Sequence, residues 1–206
     1  MRFRLWFFMG LTAAGCLHGE KPVVEVFVPP ATSYAMNLAL LRARATASQI
    51  YAEIGVRVIW RPSPSRPPGC TKALAHRNIV VAFETAGRSR MGDLAQAFSN
   101  PYATAGPCVT LFIDRLQDGV RRNPESTGFL IGHVLAHEMG HVLEGIARHS
   151  IAGVMKPRWS LKELKNMETR PLSFSAEDTD LILMGLGSTA ASREPPPVPP
   201  SEIRSR

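Results

Sequence analysis

The sequence predicts an α+β domain in which strands and helices pack around one central helix, with a further helix on its C-terminal side. Three observations predict it. β-Branched runs alternate with amphipathic segments along the first half of the chain. A long apolar segment of helical period in the second half carries a cluster of histidines. One last amphipathic segment follows before the composition turns to proline.

Residues 23–28 (Val-Val-Glu-Val-Phe-Val) are β-branched and closed by Pro29 and Pro30, which marks a first strand. Residues 32–54 set Met36, Leu40, Ala43, Ala47, Ile50 and Ile54 at spacings of four and three, the pattern of a helix with one core face. Thr32 or Ser33 can cap it, and Gly55 can end it. Residues 56–60 alternate as a second strand, and strand, helix, strand with so tight an exit predicts a parallel crossover pair. Residues 61–69 hold four prolines and read as a loop. Residues 78–85 form a third strand, apolar enough to lie centrally. Residues 87–107 are weakly periodic and glycine-containing, a loop long enough to wall a cleft. Residues 108–114 form a fourth strand. The central helix covers residues 127–143, with Ser126 or Thr127 as its cap and Gly145 as its stop. Residues 150–157 are turn-rich, and residues 161–167 fit a short helical turn. Residues 175–186 form the last helix, with Ser175 as cap, Asp178 suited to the dipole, and an apolar face through Leu181, Ile182 and Met184.

The bulk properties suit one globular domain with tails: 206 residues, 45% hydrophobic and 20% charged. The net charge is +7, but the basic residues fall in short pairs such as Arg42/Arg44, Arg88/Arg90 and Arg121/Arg122, scattered among acids. That pattern is not a nucleic-acid footprint, so no nucleic-acid partner is expected, and the protein is expected to be a monomer. Residues 1–16 read as a signal peptide: Arg2 and Arg4, an apolar run over residues 5–11, then Thr12, Ala13, Ala14 and Gly15. No later run reaches the ~18 apolar residues of a spanning helix, so a secreted or cell-envelope location is expected. Cys16 directly follows Ala13-Ala14-Gly15 and resembles a bacterial lipobox, with Ala13 where leucine is usual. It is either lipidated, which would attach the protein to a membrane, or lost with the signal. Cys70 and Cys108 are then an even pair in an exported chain and are expected to form a disulfide; the alternative is two buried thiols. Residues 188–206, with Pro195, Pro196, Pro197, Pro199 and Pro200, read as a proline-rich tail, disordered or extended.

The chemistry concentrates in His137-Glu138-Met139-Gly140-His141. Histidines four apart share one helical face, where two imidazoles can bind one tetrahedral Zn²⁺. Glu138 can face the same ion and take a proton from its bound water. A third histidine, His149, follows the glycine Gly145, and Met155 lies in a turn six residues later. These residues resemble the metzincin clan of zinc metallopeptidases. The resemblance implies that residues 20–187 are a metallopeptidase domain with a twisted, mixed sheet of four or five strands packed on the active-site helix. It also implies zinc held by His137, His141 and His149, Glu138 as general base, and Met155 in a Met-turn beneath the metal. A peptide or protein substrate would then pair with an edge strand, for which residues 108–114 are the candidate.

The spacing departs from the clan. Glu144 occupies the usual glycine position, and two extra residues enter the turn before His149. Residues 145–149 can still span ~13 Å, enough to return to the metal. The competing third ligand is Glu163, as in the other large His-Glu-x-x-His group; otherwise His149 is a plain loop histidine. His133, one turn before His137, is expected to be packed and not ligating, and Glu144 to face solvent or pair with Arg148. Gly140 costs about 1 kcal/mol in helix propensity against alanine, which points to close packing. Tyr102 and Trp159 are candidate cleft residues. The function these features imply is an exported zinc-dependent endopeptidase. A non-catalytic secreted or lipid-anchored zinc domain is a second reading, weakened by Glu138, because a structural site needs no base. A zinc amidase acting on cell-wall peptides is a third.

Overall fold

Val24, Val26 and Val28 turn inward at every second position of the first strand, β1 (Val23–Val28), as strand geometry requires of an alternating run. The computed structural model describes residues 21–63, 77–85 and 108–191. Within them β1 joins β2 (Arg57–Pro62), β3 (Asn78–Glu84) and β4 (Cys108–Phe112) in one sheet of order β2-β1-β3-β4. Five helices complete a mixed α/β fold. The expected parallel crossover is present: β1 and β2 run parallel, with Val24 opposite Val58 and Val26 opposite Trp60. The third strand does lie inside the sheet, between β1 and β4. The other two pairings are parallel as well, so among the described strands there is no antiparallel partner of the kind a mixed sheet requires. Between β1 and β2 the chain makes a crossover through a whole helix, as a parallel pair requires.

Helix α1 (Tyr34–Glu53) follows β1 and is capped by Ser33, whose hydroxyl accepts the Met36 N–H at 3.2 Å. Met36, Leu40, Ala43, Ala47 and Ile50 are buried as the periodicity predicts, joined by Ala39 and Tyr51. The fourth strand stops at Phe112, short of the expected 114, and gives way to an unanticipated helix, α2 (Ile113–Arg122). This helix buries only Leu116 and Val120, one turn apart, and sets Asp114 in its first turn and Arg121 and Arg122 in its last, where each sign suits the dipole.

The central helix, α3 (Pro124–Glu144), starts earlier than expected. Its cap is neither Ser126 nor Thr127 but Asn123, whose side chain accepts the Ser126 N–H at 3.0 Å, with Pro124 in the first turn. It ends as predicted at Gly145, in the left-handed conformation at φ 69°. Helix α3 lies on α1, where the Tyr51 hydroxyl donates to the Ala136 carbonyl at 3.1 Å inside the core. A short α4 (Leu161–Asn166) and a final α5 (Ala176–Ala191) follow. Helix α5 runs past the expected domain end at 187, because Gly185 and Gly187 cost only about 1 kcal/mol each.

Residues 1–20, with the expected signal segment and Cys16, residues 64–76, with Cys70, residues 86–107, with Tyr102, and residues 192–206 lie outside the described residues. Cys108 is disulfide-bonded. Among the described residues no helix is long and apolar enough to cross a membrane.

Candidate metal centre

His137 and His141 stand one turn apart on α3, and their Nε2 atoms come within 3.1 Å of each other. His149 reaches them from the segment after Gly145: its ring stacks on His137 at 5.2 Å between centroids and meets His141 edge-on at 5.0 Å. One nitrogen from each of the three rings lies within 4.8 Å of the other two. The two extra residues before His149 are absorbed in the irregular stretch between Gly145 and Ser150, and the ring still returns to the helix.

The orientation of His137 is fixed from behind. Its Nδ1–H donates to the Val154 carbonyl at 2.8 Å, so in the neutral ring Nε2 keeps the lone pair that faces the other histidines. A ligand held by one nitrogen and free at the other is the usual form of a metal-binding imidazole. Val154 is held in turn, its N–H donating to the Ser173 carbonyl at 3.0 Å. Burial, and then the neighbouring His141, push His137 down to about 3. Burial, and then His149, push His141 down to about 4. Partial burial lowers His149 as well. All three rings are therefore neutral near pH 7, the form that donates to a metal. A tetrahedral ion bound at ~2.1 Å spaces its ligand atoms ~3.4 Å apart, so this donor set fits one.

Glu138 is buried beside the cluster, with Oε1 4.0 Å from His137 Nε2. Its carboxylate is thus on the ligating side of the ring and not on the Val154 side. Met155 is fully buried beneath α3. A Cβ added to Gly140 would fall 2.6 Å from Met155 Sδ, so glycine in the helix is what lets the methionine pack there. The turn that carries Met155 is closed by the Ser150 N–H, which donates to the Met155 carbonyl at 2.9 Å. Trp159 is nearly buried and sets its ring edge-on to His137 at 6.0 Å and to His133 at 6.2 Å.

The rival third ligand is engaged elsewhere. Glu163 binds Lys156 Nζ through both oxygens at 2.8 Å and closes a capping box on Ser160 at the start of α4. Those hydrogen bonds, Lys156 first, hold its carboxyl down at about 2. It lines a separate cavity of about 480 Å³ with Asn166, Arg170 and Ser173. His133 is a packed histidine as expected: Nδ1–H donates to the Phe129 carbonyl at 2.7 Å, and Nε2 accepts the Leu172 N–H at 3.1 Å. Glu144 takes the second of its two expected placements, beside Arg148, and does not face solvent. Its side chain is wholly buried, its nearest cation is Arg148 Nε at 3.8 Å, and neither oxygen has a hydrogen-bond partner.

Two contributors escape sequence reading. The Val154 carbonyl is backbone and leaves no mark in residue types. Asp178 looks fully explained as a helix cap, which hides a second set of bonds toward Arg148 and Ser150. No protein-family model matches the chain, and no curated protein matches it.

Proposed function

We propose that the chain is an exported zinc-dependent endopeptidase of the metzincin type. The observation that carries this reading is the convergence of His137, His141 and His149 within 4.8 Å, with the Glu138 carboxylate on the same side of the His137 ring at 4.0 Å. A structural metal has no use for that carboxylate. The left-handed Gly145 and the buried Met155 against Gly140 support the resemblance to the clan.

When bound, zinc would supply Lewis acidity, making a water acidic near neutrality and polarising a peptide carbonyl. The chain's own residues supply the rest. His137, His141 and His149 would hold the ion as neutral donors and would leave its charge uncompensated. Val154 fixes the tautomer and angle of His137 through its carbonyl. Glu138 accepts the proton of the attacking water and returns it to the departing amine. Its burial keeps bulk water from competing for that proton.

The test compares wild type, Glu138→Ala and His149→Ala for zinc content and for cleavage of casein or a peptide. Glu138→Ala should retain zinc and lose turnover by ~10²–10⁴-fold. His149→Ala should bind zinc far more weakly, through His137 and His141 alone. Undiminished cleavage by Glu138→Ala would sink the mechanism, and full zinc retention by His149→Ala would send the search for a third ligand to Glu163.

A further inference from the structure

His137 and His141 are held by the hydrogen-bond ladder of α3, but no regular element holds His149. It sits between Arg148 and Ser150 in the irregular segment that contains the two extra residues. Both neighbours reach the same carboxylate. Arg148 Nη2 donates to Asp178 Oδ1 at 2.7 Å, and the Ser150 hydroxyl donates to that same oxygen. The other oxygen, Oδ2, accepts the Ser175 N–H at 3.1 Å and the Ser175 hydroxyl at 2.7 Å. Asp178 is 0% exposed and has two donors on each oxygen.

The two oxygens have separate tasks. Oδ2 closes the cap of α5, which a serine followed three residues later by an acid is enough to explain. Oδ1 has no part in that cap and instead grips the residues on either side of His149. A charge-assisted bond from Arg148 and a hydroxyl bond from Ser150 fix the backbone on both flanks of the imidazole. The remaining contacts of Arg148, Glu177 at 3.4 Å and Glu144 at 3.8 Å, are longer. A turn two residues longer than the clan pattern has more conformations to lose, and a buried anchor is what such a turn requires to present its ligand in one of them.

We propose that Asp178 is the positioning residue of the third metal ligand: through Arg148 and Ser150 it fastens His149 onto the His137–His141 pair. This rests on His149 being a ligand, as proposed above. Groups that orient metal ligands are worth ~10–100-fold in metal affinity.

The experiment measures zinc affinity by competition with a chromophoric chelator at fixed pH. Circular dichroism and a melt of the metal-free protein establish that each variant folds. The variants are Asp178→Asn, the double variant Arg148→Gln/Ser150→Ala, and both again in a His149→Ala background. The double variant leaves the α5 cap untouched, so it decides the matter if Asp178→Asn does not fold. Each should weaken zinc binding ~10–100-fold in the wild-type background and cause no further loss once His149 is gone. Wild-type affinity in the double variant, or an equal loss with and without His149, overturns the positioning role. A wild-type protein that binds no zinc, or a His149→Ala protein that binds it as tightly as wild type, instead overturns the metal-centre reading on which this one stands.

Discussion

Glu144 lies in the last turn of α3, where the helix dipole is already negative and where its side chain meets no water. Burial, and then the charge of Asp178, push its carboxyl up to about 7, against the weaker pull of Arg148. In the unfolded chain a glutamate loses its proton near ~4.3. Between that point and about 7 the folded protein holds a proton that the unfolded chain has lost, so stability falls as pH rises through this window. Above it the full cost remains. Glu144→Gln removes the titration while keeping the shape. It should therefore gain on wild type between pH ~4.5 and ~7 and hold a lead on the order of 2 kcal/mol at pH ~8. Urea unfolding at four pH values checks this; a constant difference between the two proteins across the range would mean that Glu144 ionises normally. The residue is hard to read from sequence because helical period alone sets it only one turn from His141. The charges that act on it belong to Asp178, Arg148 and Glu177, and two of those three lie on α5, far along the chain.

At the scale of elements, α1 and α3 approach each other backbone to backbone. A Cβ on Gly132 would fall 2.6 Å from Thr46 Cβ and 2.9 Å from the Ala43 carbonyl, and one on Gly128 would fall 2.7 Å from the Ala39 carbonyl. Backbone oxygens cannot step aside as a flexible side chain can. Gly132→Ala gains about 1 kcal/mol of helix propensity and forces the two helices apart, an overpacking cost of ~1–3 kcal/mol. The net effect should be destabilising by about 1 kcal/mol, read as a lower urea midpoint at unchanged slope; a more stable variant would show that the helices separate freely. The same glycines explain what is legible here and what is not. The helical period of α3 and its histidines is plain because one face of a helix must repeat every three or four residues. Gly128 and Gly132 within it carry no such signal until α1 is laid against them. Helix α2 is missed because two buried residues, Leu116 and Val120, are too few to reveal a period. The start of α3 is misread because Asn123, Ser126 and Thr127 are all good caps, and only the Pro124 that follows Asn123 breaks the tie.

At the scale of the molecule, the sequence spells each described strand to within two or three residues but not the order β2-β1-β3-β4, because neighbours in a parallel sheet are chosen by crossovers. The candidate metal centre depends on that larger assembly. Two donors belong to α3, and the third belongs to a segment tied through Ser150 to the Met155 turn and through Arg148 and Ser150 to α5. The turn is tied back to the first donor by the Val154 carbonyl. An unfolded chain has no such convergence, so an ion bound by these three rings binds the folded state alone and must stabilise it. At free zinc ~100 times its dissociation constant the gain is ~2.7 kcal/mol, which for a chain of this size raises Tm by roughly 5–10 °C. A chelator should abolish the increase. Asp178→Asn should need more zinc to reach it, and His149→Ala should show little of it at the same concentration. Calorimetry over a zinc series ranks these cases, since a weaker site displaces the whole series to higher zinc, ~10–100-fold for a loosened ligand and further for a missing one. An increase of equal size and equal zinc dependence in His149→Ala would mean that the ion sits elsewhere, and that α5 and the third histidine take no part in holding it.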